Sequence, residues 1–298
     1  MHPELPLLPL ELEWEIFELT ARVYPAEACR LLLVSRRVYA WVEPILYETV
    51  VLGGESPLLN RKAHYKFLRT VGSKPAEFFG RVVKRLCLTY HAHNESAMRL
   101  LHQCTGVTSL ACWSPTTLSP SSLGSIASFR SLRYLSIPIA YFMNLPVFSN
   151  PSCDWHHRLT HLEIIIPAAQ LHQLQPLMVQ RLRGLPSLTH LGFLDFPNSL
   201  EYDFVPSLLE EHTTLEVVYL LFYYFDQRPG QEHPWGNDDR VVAMVRSRFK
   251  YDSIAHWESG ALWKTATEVV SRRRATKSED HCIQFCYECS LTSLVATS

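Results

Sequence analysis

The sequence is short of charged residues, of glycine and of long apolar runs, and each shortage excludes a class of protein. Charged residues make up 19% of the 298 residues and hydrophobic residues 47%, which excludes an intrinsically disordered chain. The longest purely apolar run, 217–225, has nine residues, whereas a bilayer span needs about 20. Eleven glycines argue against a glycine-rich nucleotide-binding fold. The composition therefore predicts a folded protein that does not span a membrane.

The chain also lacks an excess of either charge. Its 28 Lys and Arg residues balance 29 Asp and Glu residues, so the net charge is -1. We therefore expect neither a nucleic acid nor a membrane as a partner. The first residues contain no basic segment and carry Glu4 and Glu11, unlike a signal peptide. The first five of the eight cysteines are scattered through apolar segments, which is typical of free thiols in a reducing compartment. We expect an intracellular protein of the cytoplasm, the nucleus or both.

Motifs of catalysis and metal binding are scarce. The sequence has no Gly-x-Ser-x-Gly elbow, no complete phosphate-binding loop and no His-Glu-x-x-His. Four potential zinc ligands lie in the tail 275–298: His281, Cys282, Cys286 and Cys289. The adjacent His-Cys pair suits one tetrahedral site poorly, and no second paired-cysteine motif follows. We predict no catalytic residue, no metal site and no cofactor, and we interpret the tail as disordered.

Three short helices are predicted in residues 6–47. Pro9 fits a first helical position, and Pro25 begins the second helix. Ser35 is suited to capping the third helix, which Pro44 is expected to end. Three helices of about forty residues in total cannot bury much apolar surface alone. Part of this surface must therefore face a neighbouring domain or a partner.

These helices carry a resemblance to a known family. Several short motifs occur in the order of the F-box pattern: Leu8-Pro-Leu-Glu11, Ile16-Phe17, Leu32-Leu-Val-Ser-Arg-Arg37 and Trp41. Residues 41–52 are similar to the corresponding part of F-box-like proteins of mushroom-forming fungi. The resemblance implies docking on the Skp-type adaptor of a cullin-RING ligase. The implied docking residues are Leu8, Pro9, Leu10, Ile16, Phe17, Leu32, Val34 and Trp41. The alternative is that residues 1–50 form only a helical cap on the next domain.

A repeating apolar pattern follows the helices. It has the form Leu-x-x-Leu-x-Leu, and its central residues are Leu86, Leu110, Leu135, Leu162, Leu191 and Val218. The spacings between them are 24, 25, 27, 29 and 27 residues, and a seventh strand is predicted at 241–245. Each unit has an apolar edge that only a neighbouring unit can bury.

The repeat predicts the fold of most of the chain. We expect an α/β solenoid over residues 81–250, with about six or seven parallel strands and helices on the convex side. It resembles an irregular leucine-rich-repeat array. Residues 51–80 are expected to be a linker containing a helix, and residues 251–274 a helix that caps the last repeat.

The opposite face of the predicted sheet is poor in charge and contains aromatic residues. We interpret it as a protein-binding surface. The candidate target-binding residues are Trp113, Tyr134, His161, Glu163, His190 and Tyr219. The alternative is that helices or loops of the same domain cover this face.

Together the two regions predict a non-enzymatic substrate receptor of an SCF-type E3 ubiquitin ligase. Its repeat domain would bind a target protein whose identity the residues do not specify. The alternative is a leucine-rich-repeat scaffold that binds a protein without any ligase role.

Overall fold

The computed structural model describes most of the chain between residues 8 and 276. The described ranges are 8–53, 67–89, 92, 94–113, 124–126, 128–145, 154–166, 171–196, 204–222, 238–246 and 253–276. Of the predicted tail, residues 275 and 276 end a helix, and the four potential zinc ligands lie outside the described residues.

Three helices open the described chain: α1 (Leu10–Val23), α2 (Pro25–Leu31) and α3 (Arg36–Leu46). Pro25 occupies the first turn of α2, where its missing N–H has no helical partner to lose. The Ser35 hydroxyl accepts a hydrogen bond from the Val38 N–H at 3.2 Å, as a helix N-cap does. Pro44 does not end α3 as predicted, since the helix continues to Leu46.

Eight parallel strands form one sheet, and their spatial order is their order in the chain. The strands are β1 (Thr49–Leu52), β2 (Arg85–Leu88), β3 (Ser109–Cys112), β4 (Tyr134–Pro138), β5 (His161–Ile165), β6 (His190–Phe196), β7 (Val217–Phe222) and β8 (Val241–Val245). The α/β class and all seven predicted strands are confirmed. The strand β1 is an addition, because the sequence predicts residue 50 in the helical domain and the residues after it in a linker.

The register of the sheet follows the repeat. Each central apolar residue pairs with the next, from Leu86 on Leu110 to Leu191 on Val218. Val50 and Val241 extend this row at its two ends. The six central residues of the predicted pattern are 0% exposed. One residue of each unit therefore stacks on its equivalent in the next unit, in the interior.

The helices that connect the strands cover this side of the sheet. They are α4 (Ala76–Val82), α5 (Asn94–Gln103), α6 (Ile139–Met143), α7 (Leu171–Arg183) and α8 (Phe204–Glu211), with a 3-10 turn at Asp154–His157. Phe79, Leu100, Phe142, Met178 and Leu208 bring these helices into one core with the central strand residues. This core is the largest in the described chain.

Two further helices, α9 (Ser253–Ser259) and α10 (Ala261–Thr276), cover the other side of the sheet. The sequence predicts that this segment caps the last repeat, but Trp263 contacts side chains of three strands, β5, β6 and β7. Trp257, Leu262 and Val270 form a second core with residues such as Tyr219. The helices lie here because they can bury an apolar sheet face that would otherwise contact water.

The helical region is joined to the sheet through the residues just after α3. The Tyr47 ring packs against the Phe78 and Phe79 rings, with centroids 5.7 and 5.6 Å away. The Lys84 and Arg85 N–H groups donate to the Glu48 carbonyl at 2.9 and 3.0 Å. The helical region therefore ends at Leu46 rather than residue 50, because Val50 and Leu52 place their side chains in the sheet core.

Candidate protein-binding surfaces

The three-helix region has a very small interior. Its fully buried residues are Ala21, Ala28, Val38 and Val42, and larger side chains such as Phe17, Leu32 and Trp41 are only partly buried around them. Two of the four buried residues are alanines, which contribute little buried area. The helices therefore leave much of their apolar surface in water.

Exposed large hydrophobic side chains are concentrated in this region. Twelve such residues occur in the described chain, and eleven lie between residues 8 and 39. They are Leu8, Leu10, Leu12, Trp14, Ile16, Leu19, Val23, Tyr24, Leu33, Val34 and Tyr39. The remaining one is Leu177 in α7. A concentration of this kind is typical of a surface that binds another polypeptide.

The helix α1 carries two apolar stripes with the same spacing. Leu10, Trp14, Phe17 and Ala21 form one stripe, and only its last two residues join the small interior. The other stripe is Leu12, Ile16, Leu19 and Val23, whose exposed fractions range from 47% to 61%. The sequence predicts the second stripe as the apolar face of this helix. In the structure the small Ala21 side chain lets α1 approach the other helices, and the second stripe faces solvent.

The predicted adaptor-binding residues divide into two groups. Leu8, Pro9, Leu10, Ile16 and Val34 are exposed. Phe17, Leu32 and Trp41 pack partly inside the helical region and hold it together. Arg37 covers the Trp41 ring, with its guanidinium carbon 5.4 Å from the ring centroid, and pairs with Glu13 at 2.5 Å. Sequence reasoning missed Leu33, which is 86% exposed. Its position in the apolar run 31–34, directly after α2, could have identified it.

Three predicted target-binding residues are corrected by the structure. Trp113, Glu163 and Tyr219 are buried between the sheet and the two last helices, so a target protein cannot reach them. The Tyr219 hydroxyl donates to the Glu163 carboxyl at 2.6 Å, and the Trp113 indole N–H donates to the Ser136 hydroxyl at 2.9 Å. The alternative that the same domain covers this face holds for these positions. They form an internal polar network because a buried polar group needs a partner.

Burial raises the pKa of Glu163, while hydrogen bonds from Tyr134 and Tyr219 act in the opposite direction. A carboxyl group enclosed in this way favours its neutral, protonated form. Close packing surrounds it as well, because a Cβ added to Gly192 would lie 2.3 Å from the Tyr219 ring. The network is thus a structural element of the core.

The other three predicted target-binding residues stay partly exposed. Tyr134, His161 and His190 are the first residues of β4, β5 and β6 and lie side by side. The two imidazoles stack with centroids 4.2 Å apart and planes 15° apart, and both meet the edge of Trp263 at 5.3 and 5.5 Å. Burial and the neighbouring His190 lower the pKa of His161 to about 4, and burial lowers the pKa of His190. Both rings are therefore neutral near pH 7.

The described residues offer few other sites. Among them, no group of three or more His, Cys, Asp or Glu side chains is arranged to hold a metal ion. In the same part of the chain, no helix combines the length and the apolar character that crossing a membrane requires.

No protein-family model matches the chain, and no curated protein matches it significantly. Function must therefore be inferred from the two surfaces themselves.

Proposed function

We propose that the chain is an F-box-like substrate receptor of an SCF-type E3 ubiquitin ligase. In this proposal the three-helix region docks on a Skp-type adaptor, and the rest of the chain holds a target protein. The receptor carries out no bond chemistry itself. It raises the effective concentration of a target lysine near a ubiquitin-charged enzyme that other subunits carry. Such a protein works in the cytoplasm, the nucleus or both.

The concentration of exposed apolar side chains in the helical region is the observation that carries the proposal. Eleven exposed large hydrophobic residues within residues 8–39 are difficult to explain in a region that only caps its own sheet. A cap would turn these side chains toward the following domain, as Tyr47 does when it packs against α4. Five of the eight residues of the F-box resemblance are among the exposed positions.

The proposal interprets the sheet and its helices as a leucine-rich-repeat-like solenoid. Two observations support this: each unit contributes one parallel strand, and the strands follow one another in chain order. Threonine hydroxyls also connect successive units, since Thr108 donates to the Lys84 carbonyl and Thr189 to the Thr160 carbonyl. Repeat arrays of this type commonly bind proteins along an extended surface.

Co-purification of the full chain with a Skp-type adaptor tests the adaptor half of the proposal. We expect the wild-type chain to retain the adaptor. Leu10→Asp and Val34→Asp each place a charge on the exposed apolar surface and should abolish retention without unfolding the chain. Leu177→Asp is the matched control, because Leu177 is an exposed hydrophobic residue outside the helical region. It should retain the adaptor as well as the wild type does.

Each result has a definite meaning. Retention by both helical-region variants, with folding verified by circular dichroism, would show that the docking surface lies elsewhere. Failure of the wild-type chain to bind the adaptor would overturn the ligase role and leave the alternative, a protein-binding scaffold. An equal loss of adaptor retention in the Leu177→Asp control would show that the added charge acts by disturbing the fold, and would leave the docking surface unsupported.

A further inference from the structure

An open groove runs between the first residues of β5 and β6 and the helix α10. Its volume is about 610 Å³. The floor is formed by His161, His190 and Trp263, and the helical wall carries Lys264, Glu268 and Arg272 at intervals of four residues. The hydroxyl groups of Thr267 and Ser271 lie on the same wall.

The floor presents two neutral imidazoles, each held by the threonine that precedes it. The Thr160 hydroxyl lies 3.2 Å from the Arg133 carbonyl and 2.9 Å from Nδ1 of His161. The Thr189 hydroxyl makes the same pair of contacts, with the Thr160 carbonyl at 3.2 Å and with Nδ1 of His190 at 2.8 Å. A neutral imidazole has one ring nitrogen that donates a hydrogen bond and one that accepts. Two stacked rings of this kind suit the N–H and C=O groups of an extended backbone.

The wall presents unpaired cations. Among the described residues, neither Lys264 nor Arg272 forms an ion pair. They lie eight residues apart on one helix, which separates their backbones by about 12 Å. Glu268 lies between them, so negative charge is favoured at the two ends of the groove and disfavoured at its middle. An extended chain spans about 12 Å in three to four residues.

We propose that this groove binds an acidic, extended segment of a target polypeptide. Two carboxylates three or four residues apart pair with Lys264 and Arg272. Backbone groups between them form hydrogen bonds with the imidazoles of His161 and His190. The residue opposite Glu268 is uncharged. This inference rests on the proposed receptor function and specifies the chemistry of its target, but the groove can be tested without any adaptor.

Fluorescence anisotropy with short labelled peptides tests the groove directly. The probe is an acetylated nonapeptide of alanines with two glutamates separated by three residues, added to the full chain at low salt. Versions with glutamine or lysine in place of both glutamates are the comparison probes. We expect the glutamate peptide to bind at least tenfold more tightly than the glutamine peptide, and the lysine peptide not to bind.

Variants of the groove connect the binding to named residues. Lys264→Ala and Arg272→Ala should each weaken binding of the glutamate peptide several-fold, and Glu268→Gln should strengthen it. His190→Phe keeps a flat ring but removes the ring nitrogens, and should weaken binding of all peptides that bind the wild type. Arg36→Ala is the matched control, because Arg36 is an exposed cation of the helical region. It should leave the affinity unchanged.

Three results would overturn the inference. The first is equal anisotropy for the three peptides up to millimolar chain concentration. The second is binding that Lys264→Ala and Arg272→Ala do not change. The third is tighter binding of a random single-stranded oligonucleotide than of the glutamate peptide. The Lys264→Ala/Arg272→Ala variant should still retain the adaptor. Failure of the groove and failure of the ligase role can therefore be told apart.

Discussion

The helical region and the sheet region use similar apolar residues in opposite ways. In the sheet, Leu86, Leu135 and Leu162 are completely buried in a core that extends across eight strands. In α1, Leu12 and Leu19 occur with equally regular spacing, yet they are 47% and 61% exposed. The difference lies in what surrounds each stripe. Each strand from β2 to β7 lies between two neighbouring strands, whereas three short helices enclose only a small interior.

The comparison also explains why the sheet face is closed to a partner, whereas the helices leave apolar surface exposed. The sheet face is apolar, but the chain covers it with its own α9 and α10. No described segment covers the outer stripe of α1. Exposing an apolar surface to water costs free energy, and contact with another molecule would recover that free energy.

The largest effect is expected from truncating a buried leucine of the sheet. Leu162→Ala removes a side chain that is 0% exposed between two neighbouring strands. The lost burial and the remaining cavity should lower the free energy of unfolding by about 2–5 kcal/mol. Urea denaturation followed by tryptophan fluorescence measures this loss. A loss below 1 kcal/mol would show that the strands are not packed as described.

A second substitution tests the packing under α10. Gly192→Ala places a Cβ within 2.3–2.6 Å of three atoms of Tyr219, so the ring must move. Overpacking of this kind costs about 1–3 kcal/mol. Gly124→Ala is the control, because no atom of the described residues lies within 4 Å of the added Cβ. Equal stability of the two variants would contradict the close contact between β6 and Tyr219.

A smaller effect is expected from the pH dependence of stability. The pKa of His161 is about 4 in the folded chain and 6.5 ordinarily, so the unfolded chain binds more protons between these values. The contribution of His161 therefore increases the free energy of unfolding from about pH 4 to pH 6.5. The pKa of Glu163 is raised above 4.5, so its contribution is present below pH 4.5 and is lost as the pH rises through the folded value.

Two variants separate these opposing contributions. His161→Gln should reduce the rise in stability between pH 4 and 6.5, part of which remains because the pKa of His190 is also lowered. Glu163→Gln should reduce the loss of stability at higher pH. Unfolding in urea at pH 4.5, 6 and 8 measures both. A profile that neither variant alters would exclude these groups as its cause.

The smallest effect is expected where the same leucine truncation is made in the other region. Leu19→Ala removes a side chain that is 61% exposed, and leucine and alanine have similar helix propensities. The free energy of unfolding should change by no more than about 0.5 kcal/mol. The same urea denaturation as for Leu162→Ala gives the comparison. A loss near that of Leu162→Ala would mean that the stripe is covered by another part of the chain.

Much of the sheet could be predicted because its signal is local and repeated. The apolar residues 86, 110, 135, 162, 191 and 218 determine both the strand positions and their mutual register, and the structure confirms each pairing. The strand β1 was missed because the thirty or so residues between it and β2 obscure the period. Its pattern Thr-Val-Val-Leu resembles the end of the preceding helical segment in apolar content.

The candidate sites could be predicted only in part. For Tyr134, His161 and His190 the sequence predicts one row across neighbouring strands, and they pair there. For Trp113, Glu163 and Tyr219 the predicted exposure is wrong, because α10 covers them. This helix follows the strands by many residues, and the spacing of the strands does not indicate where it packs. The groove itself joins side chains of β5, β6 and α10, which no local pattern connects.

Residue types and their spacing were sufficient for the number, direction and order of nearly all strands, and for the presence of three helices before them. The spacing of apolar residues indicates only the period of a helix or a strand, and that period is the same whatever packs against the element. Which stripe of α1 faces solvent, and that the last helix covers one side of the sheet, depend on contacts between residues far apart in the chain. Those contacts decide burial, because burial is a property of two surfaces and not of one.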